Sequence, residues 1–278
     1  MISLDPHHIE IRQLHNLTIG GVAPRPIALV STQSENGVDN LAPFSFFNAF
    51  SSNPPVLAFS AARRGRDGTF KDTYNNLLQT KQCVVHVVTH EIVEQVNLAS
   101  TEFSSQTDEF IKTGLTKIAS KVVKPYRVAE SPMHMECVLR QMIPLGDKNG
   151  SGNLAICDVV QFHIREDLYV DEKVVLEQMN QVGRAGGNYY TYCNSASMFE
   201  VPAPRTAVGI GWDHLPAWLF ELGLSKNELA QLALIEHLPD GMAVAKGTLS
   251  DENVKSVQSF LAQRDIQSAW DELVKINA

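Results

Sequence analysis

The stretch that decides the fold is Asn40 to Ser60, NLAPFSFFNAFSSNPPVLAFS, followed by a basic loop from Ala61 to Lys71 and by the tripeptide Lys71-Asp72-Thr73. It interleaves Ser and Asn with Phe, closes on the Pro54-Pro55 pair and then supplies cations. Ser45, Phe46, Phe47 and Asn48, with Ser51 and Ser52, offer hydrogen-bonding partners for a polar ring edge and apolar contact for ring faces. Arg63, Arg64, Arg66 and Lys71, beside the hydroxyl of Thr73 at an expected helix start, offer what a phosphate monoester needs. The segment therefore suits a flat aromatic ligand carrying a phosphate. Composition alone leaves a second reading open, because the same alternation builds a half-buried strand and a short basic loop is an ordinary solvated surface.

Working outward, residues 27–32 and 56–60 are short apolar runs bounded by Pro, Gly and Asn, and residues 83–89 are almost continuously β-branched, so each reads as a buried strand. Residues 69–79 and 90–100 place apolar side chains at helical spacing. Strands are expected over 133–143 and 154–165, joined by the turn chemistry of Gly146-Asp147-Lys148-Asn149-Gly150-Ser151-Gly152. Val201-Pro202-Ala203-Pro204-Arg205 then breaks regular structure and marks a boundary. Beyond it, helices are expected over 215–222, 226–236 (introduced by Ser225), 251–261 and 266–276, with Ser250 and Asn253 making an N-cap short of a full capping box. The organisation is a mainly β domain with helical insertions (α+β) over 1–205 and a helical appendage over 206–278.

Composition excludes several classes. At 278 residues and 44% hydrophobic, the chain can bury a full core without a disulfide. A net charge of −8 with scattered acids gives no basic face for nucleic acid and no polybasic membrane patch. Cys83, Cys137, Cys157 and Cys193 form no CxxC pair and mostly sit in apolar runs, as buried free thiols of a reducing compartment do. The N-terminus lacks the basic flank and apolar run of a signal peptide, and no segment reaches spanning length without charge, so a soluble cytoplasmic protein is expected.

Familiar nucleotide motifs fail. Gly209-Ile210-Gly211 is followed by His214 where a Rossmann fingerprint needs Gly, and the loop 146–152 lacks the Gly-Lys-Ser/Thr of a P-loop. His86 and His90 share a strand face but lie far apart along it, so no metal site is expected. No hydrolase signature of the Gly-x-Ser-x-Gly type is present.

Three linked motifs, PRPIALVST (from Pro24), NLAPFSFFNAFSSNPP and KDT, resemble in order and spacing those of the flavin reductase-like, FMN-binding split-barrel family, over most of residues 15–205. The resemblance implies a six-stranded antiparallel Greek-key split barrel, forming a homodimer that binds two FMN molecules near the subunit interface. It further implies ring contacts from Ser45, Phe46, Phe47 and Asn48 with Thr32 as a neighbour, and phosphate contacts from Arg64, Lys71, Asp72 and Thr73. Arg184, in a segment similar to the family's Arg-x-Gly-Gly, is implied as a partner of substrate or cofactor. The implied activity is that of a flavoprotein oxidoreductase passing reducing equivalents from NAD(P)H, or another donor, through FMN to a small-molecule or protein acceptor, with no side chain required as acid or base. A flavoredoxin-like electron carrier and a non-flavin ligand-binding module on the same fold are the alternatives. The stripes Leu215, Trp218, Leu219 and Leu222, and Val257, Leu261 and Trp270, are expected to cover the barrel and narrow access to the flavin.

Overall fold

Seven strands make one antiparallel sheet: β1 (Ala28–Gln33), β2 (Asp39–Phe44), β3 (Phe47–Ser52), β4 (Pro55–Ser60), β5 (Gln82–Val87), β6 (Met133–Pro144) and β7 (Asn153–Ile164). They are hydrogen-bonded in the order β2-β1-β5-β6-β7-β4-β3. The computed structural model describes residues 1–204, 208–242 and 250–277. Consecutive strands β2 and β3 lie at opposite ends of that order, yet only Ser45 and Phe46 join them. Three Cα steps reach no more than about 11 Å, so the two edges must meet and the sheet wraps into a barrel, open along this seam. Six strands were expected and seven are present. The stretch read first for ligand contacts forms two of them, β2 pairing with β1 from Ala28↔Phe44 to Gln33↔Asp39 and β3 pairing with β4 from Phe47↔Phe59 to Ser52↔Pro55.

The interior follows the two-residue period of the strands. Ala28 and Val30, Leu57 and Phe59, Cys83 and Val85, Met135, Cys137 and Leu139, and Ala155, Cys157 and Val159 form one core. Removing a side chain the size of Phe59 from water contributes about 1.5–3 kcal/mol. Three of the four thiols meet there. Contact with the Cys137 thiol and burial hold Cys83 well above the usual thiol range, and contact with Cys83 and burial do the same for Cys157. The alternate residues Leu29 and Leu41 face a second cluster with Ile92, Val96 and Phe110, contributed by α3 (Val93–Leu98), the turn before it, and α4 (Glu109–Thr113). Two helices precede these in the chain, α1 (Ile11–Gly21), which buries no residue and was not expected, and α2 (Asp72–Thr80). A small sheet joins Arg25–Pro26 to β8 (Gln181–Arg184) and β9 (Tyr190–Cys193).

On the outer face, His86, His134 and His163 stand in register on β5, β6 and β7. Val128 N–H donates to His86 Nε2 (3.1 Å), so Nδ1–H must donate to Leu29 O (2.8 Å) and the ring is neutral. Burial and the neighbouring His134 push His86 down to about 3, and burial and Arg127 push His134 down to about 4. Glu136 sits among them. Burial opposes its charge, but the Lys121 N–H, the His163 ring (2.6 Å) and the N–H groups of Val122 and Val123 outweigh it and lower the carboxyl to about 2.

Residues Met1–Phe199 form one unit, and Glu200–Ala278 form a second with its own core. In the second unit, α5 (Lys226–Leu232), α6 (Asp251–Ala262) and α7 (Ile266–Asn277) match expected helices. Residues 215–222 instead hold only a short 3-10 turn, Ala217–Glu221, between Pro216 and the left-handed Gly223 (φ 73°). Ser225 and Glu228 make a reciprocal capping box, and so do Ser250 and Asn253, where a full box was not expected. The apolar stripes expected to need the barrel find one another: Leu215, Trp218, Leu219, Val257, Leu261 and Trp270 are buried together, with Leu222 packed on them. Trp218 and Trp270 satisfy their indole N–H groups on Met242 O (2.9 Å) and Leu232 O (3.0 Å). The boundary expected at Arg205 lies outside the described residues.

The histidine row sets the acid sensitivity of the first unit. Folded His86 and His134 titrate near 3 and 4, against an ordinary 6.5, so below pH 6.5 the unfolded chain takes up protons that the folded one refuses. Stability is complete above about pH 6.5 and falls as the pH drops towards 4. Urea midpoints followed by circular dichroism should decline over that range, and His134→Gln, which keeps a donor for Ser131 O, should flatten the decline.

Candidate functional site

Three cavities in the first unit follow one another because they share walls. A ring-sized cavity of about 300 Å³ lies at the barrel seam, lined by Phe44, Ser45 and Phe46 with Arg25, Ser60 and Lys71. Lys71 also lines a corner of about 40 Å³ with Arg64, Asp72 and Thr73. At the other side Asn97, Arg184 and Tyr190 are shared with a second cavity of about 490 Å³.

The corner is built by the start of α2. Its cap residue, Lys71, has extended backbone and no side chain caps the first turn, so the helix presents amide N–H groups and the positive end of its dipole. Arg64 is fixed by Phe70 O (2.5 Å) and by the Asp72 carboxylate (3.1 Å). Asp72 therefore orients a cation with its side chain, and what it offers an anion is its backbone N–H. Lys71 lies 5.4 Å over the Phe44 ring and makes no ion pair among the described residues. Burial, with Arg64 beside it, lowers its ammonium below the usual range. Glu102 and the buried Glu109, whose carboxyl burial raises, stand on the acidic side of this corner.

Thr73 is buried. Asn40 Nδ2 donates to Thr73 Oγ1 (3.0 Å) and to Thr32 Oγ1 (2.9 Å), and Asn76 Nδ2 donates to Thr32 as well (3.0 Å). A hydroxyl that already accepts keeps its own proton to give, so this network leaves Thr73 as a donor. Thr32, expected beside the ring, is instead a strut beneath α2.

The ring cavity carries charge without counter-charge. Arg25 is 5% exposed and spends its terminal nitrogens on carbonyls, Ile19 O (2.8 Å), Val22 O (2.5 Å) and Ala185 O (3.2 Å). Burial, then the charge of Arg184, lowers its pKa. Arg184 is held by Tyr190 Oη (2.5 Å) and Gly187 O (3.1 Å), with its guanidinium 4.7 Å from the Tyr190 ring centroid. No carboxylate is among the described residues lining this cavity. Two buried polar atoms on its lining residues, Ser60 Oγ and Arg25 Nε, lack a protein partner.

Of the residues singled out from sequence, the cleft brings together Ser45, Phe46, Arg64, Lys71, Asp72, Thr73 and Arg184. It does not gather Phe47 and Asn48. Phe47 begins β3 opposite Phe59 and packs on the interior core, while Asn48 is exposed and accepts from Ala49 N–H (2.8 Å). Sequence reasoning missed Arg25, Asn97, Tyr190 and His15. A lone cation between two prolines in GVAPRPIALV was a readable signal for Arg25, and the others had none.

Residues 20–180 match the family model described as flavin reductase like domain, and the chain belongs to that family. An uncharacterised protein of Halalkalibacterium halodurans is 38% identical over 191 residues, 68% of this chain and 91% of that one. Among solved structures, nitrilotriacetate monooxygenase component B from Bacillus cereus is 32% identical with a TM-score of 0.68, over 72% of this chain and 98% of its own. The 2-nitrobenzoate 2-nitroreductase of Pseudomonas fluorescens is 27% identical with a TM-score of 0.63, over 75% and 100%. The split-barrel class is thereby established, and the second unit falls outside the residues the family model matches.

Removing the shared donor should be felt in folding. Asn40→Ala removes the donor to the buried Thr73 hydroxyl and one of the two donors to Thr32, and should cost about 1–3 kcal/mol in urea unfolding. Arg66→Ala, on an exposed side chain, should stay within about 0.5 kcal/mol.

Proposed function

We propose that the first unit binds FMN, with its phosphate in the corner and its ring at the seam, and passes reducing equivalents from NAD(P)H to an acceptor. What carries this reading is the half-buried cation Lys71, in no ion pair among the described residues, standing between an uncapped helix start and an aromatic-walled cavity whose lining residues Ser60 and Arg25 hold buried polar atoms without a protein partner. The residues fit the cofactor. Lys71, Arg64, the first N–H groups of α2 and the Thr73 hydroxyl would hold a phosphate, while Ser45, Ser60 and Asn97 would meet polar ring atoms and Phe44 and Phe46 the ring faces. A corner of about 40 Å³ suits one terminal phosphate and not a pyrophosphate, which supports FMN over FAD.

Bound flavin would accept a hydride equivalent and release electrons singly or in pairs. The chain's own part is to orient and to shield. Arg25 and Arg184 keep positive charge at the ring cavity with no acid beside them, an arrangement that favours charge gained on reduction. Lys71, desolvated where it lines both cavities, would answer the charge of the phosphate.

A homodimer is part of the proposal. β3 is an exposed sheet edge, and Phe50 on it is 67% exposed, four residues along the chain from the seam residue Phe46. A second copy covering this edge would shield both. Light scattering after size exclusion should give twice the chain mass, and Phe50→Glu should shift the protein to monomer. A reducing, cytoplasmic setting accords with the free thiols, and no helix among the described residues is long and apolar enough to cross a membrane.

The purified protein should show an oxidised-flavin spectrum that bleaches on anaerobic titration with NADH or NADPH. Lys71→Ala and Thr73→Ala should each weaken FMN by about 1–3 kcal/mol in fluorescence titration, with riboflavin, which lacks the phosphate, little affected. Equal losses for both ligands would move the phosphate elsewhere. A bound flavin that neither nucleotide reduces would favour an electron carrier served by protein partners.

A further inference from the structure

The second cavity has a polarity of its own. Arg184 stands at its border with the ring cavity, while Glu94 on α3 lines the second cavity alone. Flat surfaces line the same cavity, Tyr190, Tyr192 and His90, the last two with ring centroids 5.1 Å apart. Arg184 is in no ion pair among the described residues, and Tyr190 Oη and Gly187 O occupy two of its five N–H donors, one on each terminal nitrogen. The remaining donors form a braced, unneutralised fork. The nearby buried guanidinium of Arg25 adds a second positive charge, and neither is in an ion pair among the described residues.

We infer that the second cavity receives the reaction's other partner as a planar aromatic carboxylate, its anion on Arg184 at the border and its ring against Tyr190 and Tyr192. Charge decides the orientation. Glu94 repels a carboxylate from the outer part, so the anion is driven to the border with the ring cavity, where the two guanidiniums lie. Shape decides the class. A flat guanidinium edge matches a carboxylate in two parallel hydrogen bonds, and a cavity of about 490 Å³ walled by Tyr190, Tyr192 and His90 admits a substituted aromatic ring. Tyr190 is a positioning residue here, fixing Arg184 through its phenol and ring.

The inference rests on the flavin reading for what the bound ring does, but its binding test does not. Benzoate and its uncharged analogue benzamide are titrated calorimetrically into the full chain, with and without FMN. Benzoate should bind at least tenfold more tightly than benzamide. Arg184→Gln should bring the ratio close to one, Arg184→Lys should restore only part of it, and Tyr190→Phe should lower it severalfold. Glu94→Gln should shift the ratio the opposite way, tightening benzoate and leaving benzamide nearly unchanged. Equal binding of the two probes by the parent, or a ratio indifferent to both Arg184 and Glu94, overturns the inference even if FMN binds. Selectivity that persists in a protein unable to bind FMN upholds the carboxylate site and removes the flavin reading instead.

Discussion

Everything in the first unit depends on the two-residue link between β2 and β3. A sheet whose first and last strands are joined by Ser45 and Phe46 has no freedom to lie flat, and must bring its edges together at that point. The wrapping encloses the interior core, and it also creates a line where two edges meet without pairing. Backbone groups there are open to a ligand, and the side chains of the link cannot retreat into either strand. Phe46 N–H, with no hydrogen bond to the described residues, is a case in point, whereas the Phe46 carbonyl accepts from Ser60 N–H at 2.8 Å, which pins the link to the end of β4. The cleft is thus a by-product of closing the barrel.

Electrostatics around the cleft are set by groups that leave cations unpaired. Where the fold needs a charge for stability it pairs it fully, as with Lys117 between Asp39 (2.6 Å) and Asp108, or Glu136 among three amides and a histidine. Lys71, Arg25 and Arg184 are treated differently: they are desolvated or braced by neutral groups, and burial or mutual repulsion lowers the first two. Such an arrangement is a standing cost to the folded chain that an anion relieves.

How much of this was legible depends on whether a residue's role is local. Strands β5, β6 and β7 announce themselves, since each is buried or hairpin-linked by a turn of Gly, Asn and Asp. Helix α1 did not, because Glu10 before it makes no side-chain cap and its short row of Ile11, Leu14 and Leu17 buries no residue in the core. The turn at 217–221 looked helical from its Leu and Trp spacing, but Pro216 and Gly223 confine it. In the cleft, Ser45, Lys71 and Thr73 were visible through motif chemistry. Thr32 and Phe47 were misplaced for one reason: which face of a strand a side chain takes is fixed by register, and register is a property of two strands at once.

The distribution of tryptophan and cysteine gives the chain two separate voices in a single experiment. Trp212, Trp218 and Trp270, all three of its indoles, belong to the second unit, and two of them are buried in its core. The first unit has none, but holds three fully enclosed thiols on three different strands, beside the more accessible Cys193. Tryptophan emission, excited where the first unit's tyrosines do not absorb, therefore reports from the helical unit. An alkylating reagent reaches Cys83, Cys137 and Cys157 only through opened states of the barrel, so its rate, measured against that of Cys193, clocks how often the barrel breathes.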